Sequence, residues 1–250
     1  MAFLKDLKIL YHLALRPVRG ADHASRMENF YSGQAEGYDD FRKRLLLGRD
    51  EVYRKLGDDV TIRESPVSGG VWVDFGGGTG SNLEGIGPNI SKFQSVYVVD
   101  LASSLLKIVD KRAEKNGWSN VKAVTADATT WTPPEGYADI VTFSYSLTMI
   151  PDWFSAIENA KRILKPGGKI GVIDFYVARK HPTAGLTKHP WSTRSFWPVW
   201  FSSDNVFPSA DHVPFLQRHF QTILLEERRS KVPYLPLIRT PYYQFIGSKN

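Results

Sequence analysis

The chain has 250 residues, no cysteine and a net charge of +6 at neutral pH. The lack of cysteine excludes disulfides, thiolate metal sites and cysteine nucleophiles, so any chemistry must come from oxygen and nitrogen groups or from a cofactor. The sequence has no apolar run of about 18 residues and no secretory signal at its start, so we expect a cytoplasmic or peripheral protein. The positive charge favours an anionic partner.

The first part of the chain predicts helices. Over residues 3–15, apolar side chains recur at helical spacing with lysines off the stripe, which suits docking on an anionic membrane or packing on the domain. Two further helices are expected over residues 24–31 and 34–56. Residues 1–69 are thus expected to form a helical cap ahead of a sheet.

From residue 70 to residue 177, short β-branched runs alternate with helical windows, which is typical of βαβ units and a parallel sheet. A turn at Lys165-Pro166-Gly167-Gly168 precedes the last of these runs. Strands are predicted at residues 71–76, 95–100, 121–127, 138–146 and 169–177, and helices at residues 81–87, 102–116 and 152–164.

Residues 178–210 break this alternation, and we interpret them as an insertion on the substrate side. Five large aromatic side chains between Trp191 and Phe201 are too many for an exposed loop, so they pack on the sheet or wall a cavity for an apolar substrate. Residues 211–250 are expected to close a single domain with a helix at 209–219 and strands at 222–227 and 242–247.

A glycine-rich loop follows the first predicted strand, which ends at Asp74 and runs into Gly76-Gly77-Gly78-Thr79-Gly80. Glycines accept positive φ and let a ligand approach the backbone, so the loop predicts a nucleotide-like ligand. The third glycine of a dinucleotide fingerprint is missing, because Ser81 and Leu83 stand at its two possible positions. An acid at Asp74 suits the cationic amine of S-adenosylmethionine, which has no pyrophosphate.

Polar residues also end the next three strands. Asp100 suits both ribose hydroxyls, with capping of the following helix as the alternative. Asp127 and Ala128 lie at the height of an adenine amine, with a turn as the alternative. Tyr145 and Ser146 face either the reacting centre or the core.

With these signals in order on successive strand ends, residues 71–177 resemble class I S-adenosylmethionine-dependent methyltransferases. The resemblance implies an α/β fold with a doubly wound, seven-stranded, mostly parallel sheet in the order 3-2-1-4-5-7-6, the last strand antiparallel. It implies S-adenosylmethionine as cofactor. The cofactor-binding residues that follow from it are Tyr31, Arg44, Asp74, Gly76, Gly78, Thr79, Gly80, Asp100, Leu101, Asp127, Ala128 and Ser144.

The flanking segments 30–49, 200–204, 232–236 and 241–247 are similar to the methyltransferase part of betaine lipid synthases. That resemblance implies trimethylation of the amine of diacylglycerylhomoserine to diacylglyceryl-trimethylhomoserine. It also implies a peripheral location on the cytosolic face of a membrane, the endoplasmic reticulum in a eukaryote. In eukaryotic members this part is joined to an aminocarboxypropyl transferase that forms the homoserine ether, so such a partner or fused domain is implied.

Methyl transfer to an amine requires alignment of the reacting atoms and an acceptor for the amine proton. The candidates for that acceptor are Tyr38, Tyr145 and Asp204. The histidines show no metal spacing, so no metal is expected. Substrate contacts are predicted for Arg42 and Arg194 with a carboxylate, and for Trp197, Trp200 and Tyr242 with a quaternary ammonium, against surface and core roles as alternatives.

Two other functions fit the same sequence. A quinone C-methyltransferase also carries a Tyr-Asp pair in its entry region, as Tyr38-Asp39 does here, and product analysis separates it from an N-methyltransferase. A nucleic-acid-binding protein with a structural cofactor would use the basic charge and the aromatics for stacking. No nucleic acid is expected, and salt-dependent binding of oligonucleotides would contradict that expectation.

Overall fold

The computed structural model describes residues 20–31, 44–59, 69–202, 205–232 and 235–250. The strands of this part form one sheet in the order β3-β2-β1-β4-β5-β7-β6. Strands β1 to β5 run parallel, and β7 runs antiparallel to both β5 and β6. The predicted fold class and strand order are thereby confirmed. The strands are β1 (Val71–Phe75), β2 (Ser95–Asp100), β3 (Val121–Thr125), β4 (Ala138–Ser144), β5 (Leu164–Phe175), β6 (Gln221–Val232) and β7 (Leu235–Ser248).

Helices cover both faces of the sheet. A 3-10 segment over Ser81–Lys92 follows β1 and is kinked at Gly87. A second, one-turn 3-10 helix over Leu147–Met149 follows β4. The α-helices of the described residues are α1 (His23–Tyr31), α2 (Arg49–Gly57), α3 (Ser103–Asn116), α4 (Trp153–Ile163), α5 (Trp191–Ser202) and α6 (His212–His219).

Side chains along β1 alternate between two cores. Val71, Val73 and Phe75 pack on the side of α4 and α6, whereas Trp72 packs on the side of α2, α3 and α5. Successive side chains of a strand point to opposite faces, so a central strand covered on both sides must be apolar throughout. Asp74 is the exception, and by this alternation it faces the same side as Trp72.

Two predicted strand boundaries near the closing end need correction. Strand β5 begins at Leu164, which pairs with Ala138, so the predicted turn at residues 165–168 is an irregularity within the strand. Strands β6 and β7 are longer than expected because they continue to pair with each other past Phe175, the last residue of β5. The result is a two-stranded ribbon that extends beyond the carboxyl end of β5.

Two predictions about helices also differ from the structure. The predicted helix 34–56 lies partly outside the described residues. Within them Arg44 and Leu45 are helical, but the helix is interrupted at Gly48, which has a left-handed φ of 84°, and α2 begins at Arg49. The segment 178–210 contains α5, a helix that includes Pro198. None of the described helices combines the length and the apolar character that crossing a membrane requires.

The first residue of α6, His212, is a buried titratable group with no hydrogen-bond partner for either ring nitrogen among the described residues. Its ring meets the edge of Trp153 at 4.7 Å between centroids. Burial lowers the pKa of His212 from 6.5 to about 3. The folded state therefore holds a neutral ring that the unfolded chain protonates below pH 6.5, so this residue lowers stability as the pH falls from there.

We expect His212→Phe to raise the free energy of unfolding by about 1 kcal/mol at pH 7.5, because it removes buried polar atoms and keeps the ring. The advantage should grow as the pH falls below 6.5, approaching about 1.4 kcal/mol per pH unit. Urea unfolding at pH 7.5 and 5.5 measures both. The matched control is His219→Phe, on the same helix and less buried. A His212→Phe variant that is less stable at both pH values contradicts this account.

Candidate cofactor and active site

A cavity of about 300 Å³ lies at the carboxyl ends of β1 to β4. Parallel strands end together at this edge, which is where open α/β sheets bind ligands. Six of the predicted cofactor residues line it, namely Gly76, Gly78, Asp100, Leu101, Asp127 and Ala128. The rest of the wall is formed by Met27, Val99, Leu105, Ala126, Thr129, Tyr145, Ser146, Met149, Ile150, Pro151 and Asp152.

The glycine loop adopts a backbone that other residues resist. Gly76, Gly78 and Gly80 have φ values of 65°, 58° and 70°. A Cβ on Gly76 would lie 2.4 Å from Cβ of Ser146, at the end of β4. The glycines therefore allow both the left-handed turn and the close approach of two strand ends.

Asp100 ends β2 and shapes the loop directly. Its Oδ2 accepts a hydrogen bond from the Gly78 N–H at 2.9 Å, and its Oδ1 accepts from the Ala102 N–H at 2.9 Å. The predicted helix-capping alternative is thus present in part, while the carboxylate also lines the cavity. Ribose binding by Asp100 stays a prediction.

Asp74 lies beneath the loop and is fully buried. Its Oδ1 accepts from the Tyr53 hydroxyl at 2.5 Å and from the Thr142 hydroxyl at 2.8 Å. A Cβ on Gly77 would lie 2.6 Å from its Oδ2. Burial raises the pKa of Asp74 from 3.8 to about 7. Asp74 does not line the cavity. The amine of a bound methionine group would therefore have to pass the glycine loop to contact the Asp74 carboxylate directly.

The other predicted cofactor residues divide into two groups. Asp127 lines the cavity. Its Oδ1 also accepts hydrogen bonds from the N–H and the hydroxyl of Thr129, which form the turn that was predicted as the alternative to adenine binding. Thr79 and Ser144 are buried, and neither forms part of the cavity wall. Gly80 also lies off the wall, and Arg44 is exposed just before α2.

Tyr145 follows β4 with a left-handed φ of 53°, a strained conformation for this residue type that is common at functional sites. Its hydroxyl donates to the Leu47 carbonyl at 2.9 Å, and burial raises its pKa above its ordinary value. A hydroxyl held as a donor with a raised pKa is a poor proton acceptor. Tyr145 is a residue of the cavity wall, and its ring packs on Phe175 at 4.6 Å between centroids.

Helix α1 contributes to the cavity from the amino-terminal part of the chain. Met27 reaches the cavity wall, and Glu28 accepts a hydrogen bond from the Ser104 N–H at 3.2 Å. This contact fastens α1 to the first turn of α3. Tyr31 is the last residue of α1, and its side chain lies outside the described part, as do Tyr38, Arg42 and Asp204.

The four predicted substrate residues that the structure describes, Arg194, Trp197, Trp200 and Tyr242, do not line this cavity. Trp197 is buried on Phe201, whereas Trp200 is 43% exposed. The aromatic stretch therefore fits neither of the two predicted alternatives completely: part of it packs in the core, and none of its described residues walls this cavity. Tyr242 is buried in β7. Arg194 lies partly buried on α5, and its Nε has no hydrogen-bond partner among the described residues.

Arg49 is the main residue that sequence reasoning missed. It is 7% exposed, its Nε donates to the Leu46 carbonyl at 3.0 Å, and its Nη1 donates to Oδ1 of Asn82 at 2.9 Å. Asn82 lies two residues beyond the glycine loop, so a cation stands beside the loop. The available signal was an arginine directly after Gly48, where the apolar run Leu45-Leu46-Leu47 ends.

The charged groups and the backbone of the cavity fit S-adenosylmethionine. Asp100, Asp127 and Asp152 are the charged side chains of the described wall, and all three are acids. Carboxylates favour a cationic ligand and disfavour the two phosphates of a dinucleotide. The left-handed glycines leave the backbone open to a close approach, as the cofactor's methionine portion requires.

Comparison with known proteins gives the same result. The pattern that defines the ubiE/COQ5 methyltransferase family matches residues 21–199. The ubiquinone/menaquinone biosynthesis C-methyltransferase UbiE of Pseudomonas fluorescens is 27% identical over 193 residues, which cover 76% of this chain and 72% of that protein. The UbiE protein of Teredinibacter turnerae is 30% identical over 166 residues, 66% of this chain and 65% of that protein.

Solved structures share the fold at low identity. Haemonchus contortus Phospholethanolamine N-methyltransferase 2, in complex with phosphomonomethylethanolamine and S-adenosylhomocysteine, aligns with a TM-score of 0.62 at 15% identity over 91% of this chain and 59% of that one. YcgJ of Bacillus subtilis aligns with a TM-score of 0.57 at 15% identity, over 79% of this chain and 99% of that one. The chain belongs to the ubiE/COQ5 family of class I methyltransferases, and S-adenosylmethionine is its cofactor.

Proposed function

We propose that this methyltransferase acts on the amine of diacylglycerylhomoserine and forms diacylglyceryl-trimethylhomoserine. The observation that carries the proposal is the acidic cavity wall, whose described charged side chains are all carboxylates and which holds Asp152 besides the two that are predicted to bind cofactor, Asp100 and Asp127. Such a wall stabilises a cationic head group in the ammonium form and in the trimethylated product. Tyr145, another residue of this wall, has an aromatic ring of the kind that recognises quaternary ammonium.

The carboxylate of the same head group requires a cation. Arg194 lies on α5, whose buried residue Phe201 stacks on Phe175 at 4.7 Å, and Phe175 packs on Tyr145. Its Nε is buried without a hydrogen-bond partner among the described residues, which suits a guanidinium that receives a substrate carboxylate. The proposal thus gives the two charges of one head group separate partners.

When bound, S-adenosylmethionine supplies a methyl group that its sulfonium has already activated. The protein has to hold the amine in line, exclude water and accept the amine proton between transfers. Asp152 lines the cavity, and its Oδ1 accepts a hydrogen bond from the Ser155 N–H at 3.2 Å at the start of α4. We assign it as the proton acceptor in place of Tyr145, while Tyr38 and Asp204 stay predictions.

A second candidate is C-methylation of a quinol ring that carries a long apolar tail. The family match and the names of the bacterial relatives favour this candidate over N-methylation. The resemblance of the flanking segments to betaine lipid synthases, the acidic wall and Arg194 favour the amine. Both acceptors combine a small reactive head with an apolar tail.

The decisive experiment offers each acceptor separately with methyl-deuterated S-adenosylmethionine and identifies the products by mass spectrometry. We expect up to three labelled methyl groups on diacylglycerylhomoserine and none on a polyprenylated quinol. Arg194→Gln should raise the KM for the lipid by about tenfold, because a charge-assisted contact is lost, while Arg194→Lys retains part of it. Labelling of the quinol alone makes the second candidate correct. If neither acceptor is labelled by a protein that binds cofactor, both are wrong.

A further inference from the structure

Helix α5 presents a stripe of large apolar side chains to solvent. Trp191 is 75% exposed, Phe196 40%, Val199 74% and Trp200 43%. With Ser192 and Ser195 they line one shallow surface groove. Phe196, Val199 and Trp200 have the i, i+3, i+4 spacing of one helical side, and Trp191 joins the groove from the first residue of α5. We call these four apolar residues the aromatic face.

The opposite side of α5 holds the aromatic face in place. Trp197 and Phe201 are buried, and their rings stack at 5.3 Å. Phe201 stacks in turn on Phe175 of β5 at 4.7 Å. The exposed rings therefore stand on a helix that is fixed to the sheet by its own core side, and they need no rearrangement to contact a surface.

The aromatic face lies at the edge of the sheet that carries the cavity. Beyond α5, the Phe207 N–H donates to the Thr148 carbonyl at 2.7 Å, and the neighbouring Met149 and Ile150 line the cavity. The Phe207 side chain is 57% exposed. The cavity and the exposed aromatics thus share one side of the molecule.

The segment that carries the aromatic face is basic, and of its four bases only Arg179 is paired with an acid among the described residues, Asp211. The sequence contains no acidic residue between Asp174 and Asp204, and this stretch includes Arg179, Lys180, Lys188 and Arg194. Both lysines are exposed. Exposed tryptophans beside bases are the combination that stabilises a helix at the interface of an anionic bilayer, where rings enter the head-group layer and bases meet anionic lipids.

We propose that the aromatic face docks the protein on an anionic lipid bilayer, with the rings of Trp191, Phe196 and Trp200 inserted at head-group depth. This goes beyond the proposed function, because docking does not depend on which atom is methylated. It brings the cavity edge toward the phase that holds an apolar-tailed acceptor. Docking is measured without any acceptor, so its failure and that of the proposed function are distinguishable.

The test is sedimentation of the full chain with vesicles of phosphatidylcholine alone and with phosphatidylglycerol added. We expect binding to the anionic vesicles that weakens with salt, and a fall of about tenfold or more in Trp191→Ser/Phe196→Ser/Trp200→Ser, since three interfacial aromatics are lost. The matched control is Ile223→Ser, which removes a 55% exposed apolar residue at the opposite edge of the sheet. Lipids brominated near the head group should quench wild-type tryptophan emission more than that of Trp191→Phe/Trp200→Phe.

Three outcomes would overturn the proposal. Wild-type protein that does not sediment with anionic vesicles excludes docking. A fall equal to that of Ile223→Ser shows that the aromatic face is not the contact. A dimer in analytical ultracentrifugation that the triple variant converts to monomer, without vesicle binding, assigns the face to a second copy of the chain. Unchanged melting temperature and S-adenosylhomocysteine affinity verify that the variants are folded.

Discussion

Asp100→Ala is expected to weaken binding of S-adenosylmethionine by about 1.5–3 kcal/mol, the range for loss of charge-assisted hydrogen bonds. The carboxylate lines the cavity and also holds the Gly78 and Ala102 N–H groups, so the variant loses a ligand contact and a loop contact together. Titration calorimetry with S-adenosylmethionine and its demethylated product measures the affinity, and thermal melting reports on the fold.

Asp100→Asn separates the two roles, because the amide retains one oxygen for a backbone N–H and loses the charge. Asp110→Ala, on the exposed side of α3, is the control for removal of a nearby carboxylate. An unchanged affinity in a folded Asp100→Ala variant would leave Asp100 as a residue that only caps and shapes the loop. Micromolar binding of NAD with no heat from S-adenosylmethionine would contradict the cofactor assignment itself.

Gly76→Ala should lower both stability and cofactor affinity. A left-handed φ costs alanine about 1–2 kcal/mol, and a Cβ at 2.4 Å from Cβ of Ser146 adds about 1–3 kcal/mol of overpacking. The strand ends that form the cavity must move apart to relieve the contact, so cofactor affinity should fall by about tenfold or more. Urea unfolding and calorimetry provide the two measurements.

Gly117→Ala is the matched control, because Gly117 has a left-handed φ of 68° and a Cβ there would meet nothing within 4 Å. The difference between the two variants therefore isolates the contact with Ser146. Adding Ser146→Gly to Gly76→Ala should recover part of the lost stability, less the cost of the hydrogen bond from the Ser146 hydroxyl to the Phe75 carbonyl, which the Ser146→Gly single variant measures. If the double variant is no more stable than Gly76→Ala, strand contact is not the cause and the local geometry has been misinterpreted.

The sheet was predictable because each of its central strands is a local pattern. The bounds predicted for β2 match those of the structure, and the glycine loop identified the cavity, because both depend on a few consecutive residues. Helix α5 was not predicted, because Pro198 and a run of aromatic residues argue against a helix. Its buried side is defined by long-range packing, such as the contact of Phe201 with Phe175.

The contacts that shape the site are long-range, and no single-sequence pattern shows them. Tyr145 was predicted as a proton acceptor from its place at a strand end, but its hydroxyl is bound by the Leu47 carbonyl, 98 positions away. Arg49 meets Asn82 across 33 positions. The type of a residue and its position at the end of a strand predict that its side chain lies near a site. The hydrogen-bond partner of that side chain, which the sequence does not reveal, determines its chemical role there.

The contact of Tyr53 with Asp74 couples local opening of the structure to the release of a proton. The carboxyl keeps its proton in the buried state up to a pKa of about 7, against 3.8 in water. If α2 separates from the sheet, water reaches Asp74 and the group ionises. Between about pH 4 and pH 7 the closed state therefore gains free energy as the pH falls. Mild acidity should hold this part of the molecule shut, and neutral pH should let it exchange its amide hydrogens more readily.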